Sequence, residues 1–323
     1  MADGHRSPAA VGHPEPSIWP ALLGAVVVGV LTAVQARING QLALRLDHPM
    51  TAAVISFGSG LLLVAAICAL APSGRRGFAA LVRGIRDRSI PWWMLVGGAA
   101  GAVTVATQSL TVGIVGVSLF TVGLVAGQTV GGLALDRLGY GPGGVVPVTV
   151  PRLVGAALTL IAVTVMLTFG EGIADVPLWL LLLPVVVGVG LAWQQATNGR
   201  LRQRIGTPLT ATFVNFLVGT VVLVIGAVVA VAAGGPPRAL PGEPWLYLGG
   251  AVGVAYIMMT AALVGRTGVL LFGLGAVSGQ LVASLVLDAL WPAPASPGLA
   301  VESVTVAIAL CSVLVAGFWR ARR

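Results

Sequence analysis

The chain has 323 residues and a net charge of +8, and 57% of it is hydrophobic against 9% charged, where an ordinary soluble domain carries about 25% charged residues. A water-soluble globule and a disordered chain are both excluded, because the 45 Gly and 20 Pro are scattered through long apolar stretches, as membrane helices tolerate. All 18 cationic side chains are Arg, so a Walker-type phosphate loop, a retinal Schiff base and a pyridoxal lysine are excluded too.

Residues 1–17 are polar and rich in Pro and His, and are expected to form a cytoplasmic tail. No small-residue cleavage pattern follows the first apolar stretch, so it reads as a retained helix rather than a cleaved signal peptide. A hydrocarbon core about 30 Å thick needs roughly 20 apolar residues of helix. Windows of about that length run from Ile18 to Ala36, Met50 to Ala71, Trp92 to Val112, Val115 to Leu135 and Leu153 to Phe169. Five more run from Leu178 to Ala196, Leu209 to Ala233, Trp245 to Val264, Val269 to Leu290 and Val304 to Phe318. Between the second and third windows, Arg75 to Arg88 interleaves arginines with Phe78, Leu81, Val82 and Ile85. That segment reads as a solvated basic loop that sets topology, in preference to a lipid-binding interfacial helix.

Tryptophan prefers the headgroup level over the bilayer centre. Trp19, Trp92, Trp93, Trp179 and Trp245 open windows, while Trp193, Trp291 and Trp319 fall near or past the end of one. With the N-terminus inside, 15 of the arginines lie on the cytoplasmic side and only Arg37, Arg45 and Arg238 lie outside, which places both termini in the cytoplasm. Topology therefore explains the charge better than a nucleic-acid partner does. Cys68 and Cys311 lie in apolar stretches, and two of the three histidines, His5 and His13, lie in the tail. Neither a disulfide framework nor a metal site is expected, nor any cofactor.

The chain also repeats itself. Gln35 to Gly60 aligns without gaps on Gln194 to Gly219 with 10 of 26 positions identical, and Val112 to Leu138 aligns on Val264 to Leu290 with 15 of 27. Five windows fall in each copy, and an odd number makes the second copy enter the membrane from the opposite side. The fold class expected is an all-α integral membrane protein of ten transmembrane helices, arranged as two inverted-topology five-helix repeats at 18–172 and 173–323. Such repeats hold their solute near the midplane and alternate access by rocking against each other.

QARINGQLALRLDHPMTAAVISFGSG and QQATNGRLRQRIGTPLTATFVNFLVG, followed by GQTVGGLALD and GQLVASLVLD, resemble the YdcZ-like branch of the drug/metabolite transporter superfamily. The resemblance covers most of the chain beyond the tail. It implies a multi-pass inner-membrane permease, an exporter by preference, without identifying the solute. The copies are not chemically equivalent, because Arg37 and Ser56 stand where the second has Ala196 and Asn215.

Polar side chains inside apolar windows mark the candidate site. Gln128 and Gln280, eight residues before Asp136 and Asp288, are the first candidates, for substrate contact or for interhelical hydrogen bonding. Gln35 and Gln194 near the ends of the first and sixth windows, Ser56 and Asn215 in the second and seventh, and Gln108 in the third complete the set. Thr104 and Tyr256 add polar surface. Amides can hold a neutral or zwitterionic solute without a large desolvation penalty. Asn39-Gly40 and Asn198-Gly199 read as helix C-caps. Asp136 and Asp288 fall at window ends, where anchoring or a salt bridge is favoured over proton relay and where a carboxylate can reach water. The glycine pairs Gly97/Gly101, Gly249/Gly253 and Gly127/Gly131 read as close helix packing.

The function expected is a secondary transporter of a small organic solute, working by alternating access within a lipid bilayer. No nucleic-acid partner is expected, and a homodimer is left open. A channel or a structural scaffold is the alternative. An enzyme is not expected, since no window offers a clustered acid, base and nucleophile.

Overall fold

The computed structural model describes residues 18–169, 176–292 and 298–318. The expected tail with His5 and His13, together with Trp319, Arg320, Arg322 and Arg323, lies outside the described residues. Every regular element among those described is helical: α1 (Trp19–Leu46), α2 (Pro49–Leu70), α3 (Pro72–Arg86), α4 (Gly97–Arg137), α5 (Val150–Phe169), α6 (Leu178–Ile205), α7 (Pro208–Gly234), α8 (Gly249–Thr267), α9 (Val269–Leu290) and α10 (Leu299–Phe318), with single 3-10 turns before α4 and α8. Among the described residues, seven helical stretches are long and apolar enough to cross a membrane, and one of them, Trp92–Arg137, spans two of the expected windows. The shorter apolar stretches Val150–Ala162 and Leu299–Ser312 belong to α5 and α10.

Local sequence sets the helix starts. His48 Nδ1 accepts the N–H of Thr51 at 3.2 Å, and Thr207 Oγ1 accepts the N–H of Leu209 at 3.3 Å. Pro49 and Pro208 follow these caps in the first turns of α2 and α7, where the missing proline N–H leaves no broken bond. Inside α4, Gly116 stands at φ 84°, ψ 168°, and Gly268, between α8 and α9, at φ 80°, ψ 164°. These conformations are open to glycine and strained for other residues. Gly116 therefore breaks α4 into two halves that meet end to end.

Three sequence expectations are corrected. Asn39-Gly40 and Asn198-Gly199 are not caps, because α1 continues to Leu46 and α6 to Ile205. Gly40 instead lets α1 pack against Val112, which a Cβ would meet at 2.9 Å. The basic segment after α2 is not a loop: Pro72–Arg86 is a strongly amphipathic helix. Its Phe78, Val82 and Ile85 are about half exposed, and Phe78 also meets Phe213 of α7 edge-on at 6.2 Å. The N–H of Ser89 donates to Asp87 Oδ1 at 2.9 Å just past its end, and bonding from Ser89, side chain first, holds the Asp87 carboxyl below the usual carboxylate range. Asp136 and Asp288, expected to reach water, are buried.

Packing is most extensive between α4 and α6, followed by α1 with α9. Both crossings are built on glycine. A Cβ on Gly127 would lie 1.9 Å from the Val185 carbonyl and one on Gly188 2.0 Å from that of Leu124; a Cβ on Gly29 would lie 1.8 Å from the Ala276 carbonyl and one on Gly279 1.9 Å from that of Val26. The helices touch backbone to backbone at both places. Phe57, Phe120, Phe216 and Phe272 are the largest fully buried side chains of the core.

Candidate functional site

α1 has 28 residues, about 42 Å at 1.5 Å per residue. Gln35 therefore lies about 24 Å along the helix from Trp19, within the depth of a bilayer's hydrocarbon and short of the helix end. It is buried with Asn39, Ser56 and Gln108. Gln35 Nε2 donates to the Gly249 carbonyl at 2.8 Å, and Asn39 Nδ2 donates to Gln108 Oε1 at 3.1 Å. A Cβ on Gly249 would fall 2.5 Å from Asn39 Oδ1 and 2.9 Å from Ser56 Oγ, so the bare start of α8 is what admits these side chains.

The second group is joined more tightly. Gln194 Nε2 donates to Asn215 Oδ1 at 2.7 Å, and Asn198 Nδ2 donates to the same oxygen at 3.0 Å. Here the start of α4 supplies the space: a Cβ on Gly101 would lie 2.4 Å from Gln194 Nε2, and one on Gly97 3.1 Å from Asn198 Oδ1. Thus α1 and α2 place their amides and hydroxyl against α8, while α6 and α7 place theirs against α4. Between the groups, the rings of Phe57 and Phe216 pack at a centroid distance of 4.9 Å. Phe57 lies against Gly101 and Phe216 against Gly253.

Buried polar atoms normally find a partner. Among the described residues, Gln35 Oε1, Asn39 Oδ1, Ser56 Oγ, Gln108 Nε2, Gln194 Oε1, Gln195 Oε1 and Asn215 Nδ2 have no hydrogen-bond partner in the protein. Both groups thus keep donors and acceptors in reserve, and neither contains a charge. Asn39 and Asn198 belong to these groups although sequence reading placed the two asparagines at helix ends. The repeated Gln-x-x-x-Asn spacing, one helical turn, is the signal that links each to its glutamine.

Gln128 and Gln280 are buried too, but lie at the glycine crossings, Gln128 next to Gly127 and Gln280 next to Gly279. Both side-chain atoms of Gln128, and Oε1 of Gln280, lack protein partners among the described residues. Neither glutamine is hydrogen-bonded to the two amide groups. Thr104 spends its hydroxyl on the Ala100 carbonyl at 2.8 Å, and Tyr256 is buried.

Asp136 and Asp288 do not reach water; they are 1% and 2% exposed. Asp136 Oδ1 accepts the N–H of Val269 at 2.9 Å, just after Gly268, and its Oδ2 accepts from Arg152 Nη1 at 3.3 Å. Asp288 Oδ2 accepts the N–H and the hydroxyl of Ser118, at 2.9 and 2.6 Å, just after Gly116, and Arg37 lies 3.8 Å from Oδ1. Each carboxylate ties down the helix that restarts after a left-handed glycine, where an N-terminus favours negative charge. The expected salt bridge of Asp136 is present. Glu302, which the sequence reading passed over, is also buried, in the first turn of α10.

The two ends of the bundle differ. At the Arg200 end, Tyr140 Oη lies 3.0 Å from Thr197 Oγ1, Arg200 donates to the Gly139 carbonyl at 2.8 Å, and Gln203 donates to the Pro142 carbonyl at 2.9 Å. The Arg200 guanidinium lies 4.9 Å from the Tyr140 ring centre and 5.9 Å from that of Trp93. The chain after α4 is thereby bound down over α6. At the Arg45 end, a cavity of about 580 Å³ opens between α1 and α9, lined by Val34, Arg37, Gln41, Arg45, Trp245 and Trp291 among others.

The family model described as "Putative inner membrane exporter, YdcZ" matches residues 20–165 and 179–316. No curated protein matches the chain. A solved structure described only as "Crystal structure of protein" is similar in fold, with a TM-score of 0.59 and 18% identity, covering 94% of this chain and 98% of the other.

Proposed function

The chain belongs to the YdcZ family of inner-membrane exporters, and from that premise we propose that it is a secondary permease for a small organic solute, working by alternating access. In this reading ten spans form two inverted five-helix repeats, 18–172 and 173–323, with both termini cytoplasmic. The two buried amide groups bind the solute, with Gln35, Ser56 and Gln108 on one side of the Phe57/Phe216 pair and Gln194 and Asn215 on the other. Gln128 and Gln280 act at the helix crossings, in contact with solute or in the hydrogen bonding that follows the moving helices.

One observation carries the reading: residues at aligned positions of the two copies face each other across a buried aromatic pair and retain unused hydrogen-bonding atoms. Amides of this kind suit uncharged or zwitterionic groups, which enter a low-dielectric site without ionic desolvation. The unlike ends add support: the cavity at the Arg45 end is about 580 Å³, whereas the one at the end bound down around Tyr140 and Pro142, lined by Pro142, Arg200 and Gln203, is about 280 Å³. Alternating access requires that asymmetry to be reversible.

The test is solute counterflow in proteoliposomes. A panel of amino acids, toxic cations and small organic acids is assayed for saturable uptake that is accelerated by the same solute inside. Saturation with counterflow supports the permease. Flux that rises linearly with concentration and shows no counterflow supports a channel, and no flux of any solute supports a scaffold.

A further inference from the structure

The cavity at the Arg45 end is chemically unlike the amide groups. Arg37 and Arg45 are the charged side chains among its lining residues, accompanied by the Gln41 amide and the indoles of Trp245 and Trp291. Its volume falls within the roughly 300–1,000 Å³ of small-molecule sites. Arg45 sits at the rim, with its ion pair to Glu243 at 3.1 Å and most of its side chain in solvent. Arg37 is deeper and only 9% exposed.

Arg37 has one role in the fold, standing beside buried Asp288 as Arg152 stands beside Asp136, although the aligned position in the second copy is Ala196. That ion pair does not use the guanidinium fully. The 3.8 Å separation from Asp288 exceeds hydrogen-bonding distance, and the Asp288 oxygens already accept from Val117 and Ser118. Arg37 Nη2 makes one hydrogen bond, to the Trp291 carbonyl at 2.5 Å, and a guanidinium carries five N–H donors in a fork that matches a carboxylate or phosphate. A cation held at this depth is expensive unless it serves a ligand or a partner.

We propose that this cavity binds an organic anion, with Arg37 and Arg45 facing its carboxylate or phosphate, Gln41 hydrogen-bonding to it, and Trp245 and Trp291 covering its apolar body. The proposal rests on the permease reading in one respect: within the uncharged or zwitterionic solutes that suit the amide groups, it narrows the transported class to zwitterions, whose one negative group is captured here before or after the amide groups. The same chemistry is offered by a soluble carboxylate and by an anionic lipid headgroup.

Equilibrium dialysis of the full chain in phosphatidylcholine nanodiscs, with radiolabelled benzoate, benzamide and benzylamine as probes, tests it. Benzoate is expected to bind saturably and at least tenfold tighter than benzamide or protonated benzylamine. Arg37→Gln weakens benzoate at least tenfold. Gln41→Glu, which leaves the Arg37 interactions in place, does the same and stands in if Arg37→Gln does not fold. Equal binding of benzoate and benzamide, no benzoate binding, or wild-type affinity in a folded Gln41→Glu chain overturns the site. Replacing part of the lipid by phosphatidylglycerol separates the sources: competition assigns the cavity to a lipid headgroup, and undiminished benzoate binding assigns it to a soluble anion, either result upholding an anion site. Flux is measured apart from binding. A chain that binds benzoate and moves no solute loses the permease reading and keeps the site, whereas a chain that moves solutes yet binds benzoate no better than benzamide loses the site and keeps the permease.

Discussion

Asp288 accepts both the backbone N–H and the hydroxyl of Ser118, at 2.9 and 2.6 Å, so the last turn of α9 holds the start of a half-helix 170 residues earlier in the chain. Asp136 does the same for Val269 at 2.9 Å. These two carboxylates are structural clasps between parts of the chain distant in sequence.

Replacing a clasp is therefore expected to cost stability first. Asp136→Ala leaves Arg152 buried beside a vanished partner, and breaking a buried pair in this way costs about 3–5 kcal/mol. Asp136→Ala with Arg152→Leu should cost less than the single change, because the buried guanidinium is removed together with its carboxylate. Thermal unfolding in detergent, with the double variant no more stable than Asp136→Ala, would refute the assignment. Where flux survives in Asp136→Asn, its response to a pH gradient is expected to equal that of the wild type.

Gly116→Ala and Gly268→Ala each force a Cβ into a positive-φ extended conformation that is essentially restricted to glycine, and should cost about 1–3 kcal/mol. Gly58→Ala is the control: it lies inside α2, and a Cβ there meets nothing within 4 Å. That change is expected to be neutral or to gain up to about 1 kcal/mol from helix propensity. Equal unfolding temperatures for all three variants would show that the break in α4 needs no glycine.

At the amide groups the expected effect is on transport. Gln35→Leu and Gln194→Leu each remove a hydrogen bond worth about 1 kcal/mol together with a free acceptor, and KM should rise about tenfold with kcat changed less. Initial rates of counterflow against solute concentration decide this. Unchanged kinetics in both would remove these residues from the site, and unchanged efflux of every solute in Gln128→Ala and Gln280→Ala would remove the other two.

Gly279→Ala and Gly127→Ala bring a Cβ to 1.9 Å from a carbonyl oxygen, whereas Gly131→Ala brings one only to 3.1 Å from the Val189 Cα. Overpacking costs typically about 1–3 kcal/mol, so the first two should lower the unfolding midpoint and the third much less. A reversed order, read by thermal scanning in one detergent, would contradict the backbone contact.

Hydropathy made the helices legible because hydrocarbon demands a long apolar window wherever the chain crosses it, and here the windows recur as helices within a few residues at most ends. Gln35, Ser56, Gln194 and Asn215 were legible as polar groups in such windows. The extent of α1 and α6 was not: Asn-Gly is a stop signal locally, and it is overridden where Gly40 meets Val112 and Gly199 meets Val264 and Pro142. The burial of Asp136 and Asp288 was hidden for a similar reason. Their partners Val269 and Ser118 stand 133 and 170 residues away in sequence, and a carboxylate near a window end looks solvated until the chain that covers it is known. In α3 the apolar spacing of Phe78, Val82 and Ile85 was visible, and the arginines between them obscured it.

The crossings at Gly127/Gly188 and Gly29/Gly279 have a mechanical consequence. Most packed helices interlock through side chains, and sliding one over another lifts each knob from its hole. Where main chain rests on main chain there is no knob at the point of closest approach, and at the α4–α6 crossing the interlocking is left to flanking side chains such as Phe120, Leu124, Val187 and Leu191. The bundle thus has two bare crossings, one of α4 on α6 and one of α1 on α9, beside Gln128, whose two amide atoms both lack protein partners among the described residues, and Gln280, whose Oε1 lacks one.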